Sequence, residues 1–134
     1  MAQVAVGGYA LHSVGLASYS PTAMQFTTDF KSTNNLFLTP IDWYYVPDIS
    51  EDESHIRGRR ESVFGTLYYH TAERAIVDNI RHQDVFEEFF LVEALQRYER
   101  DNPDLVKLRE VAAEYGQSEQ LEYWLEEARN DKFV

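Results

Sequence analysis

The stretch SVFGTLYYHTAERAIVDNIR, residues 62–81, decides how the rest of the chain is read. Its first part holds Val63, Phe64, Leu67, Tyr68 and Tyr69, the β-branched and aromatic composition of a strand over residues 62–69. Its second part repeats Ala72, Ile76 and Ile80 at four-residue intervals, which places them on one face of a helix ending near Arg81. Thr71 stands between the two and carries the hydroxyl of an N-cap. A strand therefore hands over to a helix at this point, and the two sides of it differ throughout.

Toward the C-terminus the helical signals continue. Asp84 followed by Glu87 resembles a capping box and predicts a helix over residues 84–100. Its apolar residues, including Val85, Phe86, Phe89, Phe90, Leu91 and Leu95, do not fit one narrow face, so it is expected to be covered on more than one side. Asn102-Pro103-Asp104 reads as the start of another helix, with Leu105, Leu108, Ala112 and Tyr115 inward and Gly116 as its stop. Ser118 reads as the cap of a last helix on which Leu121, Trp124, Leu125 and Ala128 recur at helical spacing.

Toward the N-terminus, residues 4–6 and 9–16 are apolar but broken by glycines. Met24, Phe26, Thr28 and Phe30 alternate as in a strand. Residues 36–38 read as a short strand ending at Thr39-Pro40, and the aromatic residues 41–46 as another ending at Pro47. Residues 48–60 read as a charged loop whose acids, among them Asp52 and Glu53, precede Arg57, Arg59 and Arg60. The expectation is an α+β fold forming one domain over residues 1–134. A small, mostly antiparallel sheet within residues 1–69 packs against three or four helices within residues 71–130.

Charge and composition exclude several classes of function. The 134 residues hold 12 Lys and Arg against 23 Asp and Glu, a formal net charge of -11, most of it in the helical half. Phosphate contacts dominate nucleic-acid affinity and need Lys and Arg, so direct nucleic-acid binding is not expected. An anionic membrane surface is disfavoured for the same reason. No run of residues reaches the roughly 20 apolar positions that span a bilayer. The first basic residue is Lys31, so no basic leader is read, and a cytosolic location is expected, or the host-cell interior for a viral chain. With no Cys there is no disulfide, thiolate zinc site or cysteine nucleophile.

Few residues carry chemistry by spacing alone. His12, His55, His70 and His82 show no ligand spacing along a helix, and a metal site would need acids brought in by the fold. The acid pairs Glu87-Glu88 and Glu126-Glu127 read as solvated surface, since catalytic carboxylates need unequal environments. Leu67-Tyr68-Tyr69-His70-Thr71 ahead of a helix loosely resembles the strand-histidine-helix junction of ADP-ribosyltransferases, with Thr71 where that family has glycine. The resemblance implies a small NAD-dependent transferase with His70 on the cofactor. Residues 108–128 resemble a helix-turn-helix, but the second helix carries Glu119, Glu122, Glu126 and Glu127 and would repel phosphate.

The leading expectation is a non-enzymatic protein-binding subunit or adaptor, without cofactor or metal, in a larger assembly of viral or phage type or as a homo-oligomer. It would bind a protein, a basic one by charge, through an apolar helix and an aromatic sheet face, with Trp43, Tyr45, Phe89 and Phe90 in contact. The runner-up is an acidic inhibitor that mimics nucleic acid and covers a basic surface. Its carboxylate array would be Glu114, Glu119, Glu122, Glu126 and Glu127.

Overall fold

The computed structural model describes residues 3–19, 21, 23–28, 41–46, 48–50, 52–63 and 65–131. The expected strand over residues 36–38, Phe30 of the alternating segment and the stops at Pro40 and Pro47 lie outside the described residues.

The fold is α+β. In chain order it runs β1 (Gln3–Val4), α1 (Gly7–Ser13), β2 (Met24–Thr27), β3 (Ile41–Tyr44), a 3-10 turn (Glu53–His55), β4 (Ile56–Ser62), β5 (Gly65–His70), α2 (Ala72–Arg81), α3 (Glu88–Asp101), α4 (Val106–Glu114) and α5 (Ser118–Asn130). Strand β5 is central in a three-stranded sheet of order β1-β5-β4, and β2 pairs with β3 beside it. The longest ladder, β4 with β5, is antiparallel, but β1 runs parallel to β5 and β2 parallel to β3. The three-stranded sheet is thus mixed and the two-stranded one parallel, rather than mostly antiparallel. In the chain β1 and β5 are separated by α1, β2, β3 and β4, and β2 and β3 by more than a dozen residues, the lengths that parallel pairing requires.

The handover at residues 70–72 forms as the sequence predicts, but the strand before it is Gly65–His70 rather than residues 62–69, because Ser62 ends β4 and Val63 lies exposed in the turn between the two. Thr71 is extended, and its hydroxyl accepts from the Arg74 amide at the start of α2. Gly116 closes α4 at φ 69°. Three other expectations change. Residues 7–13, with their glycines, are a helix, not sheet. Gly8 allows α1 to lie directly on the ring of Phe90, which a Cβ at that position would meet at 2.6 Å. The charged segment 56–62 is a strand, because its backbone pairs with β5 on one side only, and Arg57 and Arg59 lie over Tyr69 and Tyr68. An edge strand tolerates charge that a central one does not.

The third change concerns helix starts. Residues 82–86 form a turn, so α3 starts at Glu88, and Asp84 is not its cap. Asn102 ends α3 rather than starting α4, and Gln117 rather than Ser118 stands at the cap of α5. Helix α4 begins after Leu105, which sits in the left-handed region at φ 55° with its side chain buried. That conformation costs about 1–2 kcal/mol for an L-residue, and full burial of a leucine contributes about 1.5–3 kcal/mol. Burial decides the backbone there.

One apolar cluster runs from Ala5 and Phe26 through Ile76, Leu95, Leu108 and Leu125. A smaller one, with Val4, Val6, Val46, Ile49 and Phe86, lies on the opposite sheet face. Adjacent aromatics divide between them: Trp43 and Tyr69 pack on the first, Tyr44 and Tyr68 on the second. Alternation along a strand sends neighbours to opposite faces, so both faces need cover. Among the described residues no helix is long and apolar enough to cross a membrane.

Candidate functional site

Two places on this frame gather side chains with something to do. The first surrounds the N-terminal turns of α3. The turn at residues 82–86 folds Phe86 into the smaller cluster and leaves Val85 exposed. Phe90 turns inward against α1. Phe89, one position earlier, points away from it, with its ring 5.2 Å from Phe90 and 6.2 Å from Tyr19. Tyr19 is 66% exposed. Phe89 and Val92 line a groove on each side of this ridge, of about 350 and 320 Å³.

The two grooves differ in charge. In one, Glu93 is buried and accepts from the Ser18 amide and hydroxyl and from Arg97, which ties the loop at Ser18 to α3. The other is rimmed by Glu88, Glu127 and Asp131. Helix α5 supplies that rim because it packs along α3, held by Arg129 to Glu99 and by Gln96 to the Ala128 carbonyl.

The nine residues expected to meet a partner do not form one surface. Phe89, Phe90 and Glu127 come together around the ridge. Trp43 is half-buried with its ring 6.4 Å from Phe26, and Tyr45 is exposed elsewhere on the sheet. Glu122 is clasped by Arg109 at 3.0 and 3.1 Å, and Glu126 lies 3.6 Å from Arg129. Glu119 is exposed in the first turn of α5, and Glu114 turns toward His55. Tyr19 escaped the sequence reading because it lies in a short loop, where no periodicity marks a side chain.

The second place is a polar centre where α2 meets the sheet and α4. Arg74 is 2% exposed. Its Nε donates to Asp78 Oδ1 at 3.0 Å, and its Nη1 donates to the Tyr115 hydroxyl at 2.6 Å. The guanidinium lies 4.2 Å from the Tyr115 ring centre. Arg81 also donates to Asp78, at 2.9 Å. Tyr115 in turn donates to Asp52 Oδ2 at 2.6 Å. That bond, with those from Ser54, holds the Asp52 carboxyl down to about 2. Burial, and then the bond to Asp52, push the Tyr115 phenol up.

Burial alone would raise Asp78. The contact with His70 and the charge of Arg74 outweigh it and hold this carboxyl below the usual range. His70 itself is buried with Nδ1 3.5 Å from Asp78 Oδ2, longer than a well-formed hydrogen bond. His70, the residue that the transferase resemblance places on a cofactor, is buried in this structure. Arg74 and Asp78, four apart on a predicted helix, were the one legible sign of this centre. Asp52 and His55 were hidden in a segment that read as a charge run.

The comparison with known proteins found no family model that matches this chain and no curated protein similar to it in sequence.

Proposed function

We propose that this chain is a non-enzymatic protein-binding subunit or adaptor, and that the Tyr19–Phe89 ridge takes a segment of another protein. The observation that carries this reading is a tyrosine two-thirds exposed beside Phe89, with a groove on each flank. Aromatic side chains in such positions are the usual anchors of protein interfaces, since they offer large area for few rotatable bonds. The acidic rim of Glu88, Glu127 and Asp131 favours a segment with an apolar anchor beside Lys or Arg. The net charge of -11 makes a second copy of the chain the poorer occupant, because like charges repel. The reading carries with it the cytosolic location expected from the sequence, or the host-cell interior for a viral chain.

Mimicry of nucleic acid draws on Glu114 of α4, which turns toward His55, and on four carboxylates of α5. Two of those are tied to arginines, so the array they present is weaker than their number suggests.

The test is a selection of peptides from a random displayed library on the immobilised chain. Enriched peptides should combine an aromatic or aliphatic residue with basic neighbours, and Phe89→Ser should weaken their binding at least about tenfold, the scale of an interface anchor. Failure to enrich any such peptide, or equal binding to Phe89→Ser, would overturn the proposal.

A further inference from the structure

None of the four histidines has a partner at ligand spacing in the sequence, yet the fold brings two acids to one of them. His55 ends the 3-10 turn that leads into β4, and its side chain is nine-tenths buried. Its Nε2 lies 3.1 Å from both oxygens of Glu114, at the end of α4, and 4.0 Å from Asp52 Oδ2. One ligand atom from each of the three residues lies within 4.8 Å of the others. We propose that Asp52, His55 and Glu114 are the ligands of a zinc-type divalent cation that fastens the end of α4 to the start of β4.

The geometry suits that ion. Zinc bonds to nitrogen and oxygen of about 2.0–2.2 Å put the ligand atoms of a tetrahedron about 3.3 Å apart. The His55–Glu114 separation, 3.1 Å, is already near that value, whereas Asp52 Oδ2, 4.0 Å from His55, would have to move closer as the ion binds. A buried imidazole aimed at two carboxylates distinguishes this group from a patch of surface acids. One nitrogen and two carboxylates favour zinc over magnesium or calcium, which take oxygen almost alone.

The supporting shell is also in place. The His55 backbone is held at both ends, its amide donating to the Asp52 carbonyl and its carbonyl accepting from Thr71, each at 2.8 Å. Asp52 Oδ1 accepts from the Ser54 amide and hydroxyl. Asp52 Oδ2 accepts from Tyr115, and its second lone pair remains for a cation. Such outer contacts orient ligands and tune affinity. Glu114 is half-exposed, which leaves the fourth position to water. Arg74, 3.5 Å from Asp52, opposes a dication and weakens its binding.

The experiment titrates zinc chloride into the full chain, stripped with a chelator, by calorimetry, with magnesium chloride in parallel. One zinc per chain is expected, with no saturable binding of magnesium. Cobalt in place of zinc should give the visible absorption of a tetrahedral site. Glu114→Gln, at an exposed helix end where the fold is kept, should weaken zinc at least about tenfold, and so should His55→Asn in a sample whose circular dichroism is unchanged. Absence of saturable zinc binding up to millimolar concentration would overturn the proposal, as would binding that both variants leave unaltered. Neither result depends on the peptide selection, so the two proposals stand or fall separately.

Discussion

Replacing Asp78 by Asn is the sharpest perturbation this structure offers. The substitution keeps the side-chain shape and removes one charge, so no cavity term enters. Asp78 is 3% exposed and receives Arg74 and Arg81 at 3.0 and 2.9 Å, with His70 beside it. Breaking a buried ion pair on one side typically costs about 3–5 kcal/mol, since the remaining charge is left uncompensated. Here Arg74 keeps Tyr115 and Asp52, and Arg81 keeps Asp48, so the low end applies, about 3 kcal/mol. An unfolding entropy of about 2.1 cal/mol/K per residue over 134 residues gives about 0.28 kcal/mol/K, so Tm should fall by about 11 °C. Thermal and urea unfolding at pH 7 measure both values.

The acid limb supplies a second check on the same residue. The folded Asp78 carboxyl lies below its unfolded value of about 3.9. Its contribution is therefore full above that value and is lost as pH falls through the lower folded one. The gap between the wild type and Asp78→Asn should narrow below about pH 4, because the variant has no proton to gain there. A variant within about 1 kcal/mol of wild type at pH 7 would refute the reasoning, and so would a gap that stays constant into acid; the first is no more than an ordinary surface pair is worth.

Three further outcomes are expected. Gly8→Ala drives a Cβ to 2.6 Å from the Phe90 ring, so it should cost about 1–3 kcal/mol in urea unfolding despite the better helix propensity of alanine. Tyr115→Phe removes the hydroxyl that links Arg74 to Asp52; with two charge-assisted bonds lost it should cost about 2–3 kcal/mol, read by the same assay. Arg109 and Glu122 are each half-exposed, and a double-mutant cycle on them should return a coupling below about 1 kcal/mol, largely abolished in high salt.

What the sequence could determine by itself was whatever depends on near neighbours in the chain. The α+β class, the cap at Thr71, the face of α2 and the stop at Gly116 are all set within one or two helical turns, by periodicity, a hydroxyl or a missing Cβ. The inner stripe of Leu105, Leu108 and Ala112 was legible for the same reason, even though the turn before it was not. Tertiary structure decided everything that rests on a partner far away in the chain. Residues 7–13 became a helix because Phe90 packs on Gly8, and residues 56–62 became a strand because β5 offers its edge. Asp52, His55 and Glu114 meet across 59 residues, and Tyr19 reaches Phe89 across a similar gap. No local pattern encodes such meetings, since their stability comes from burial and pairing that exist only once the chain has closed on itself.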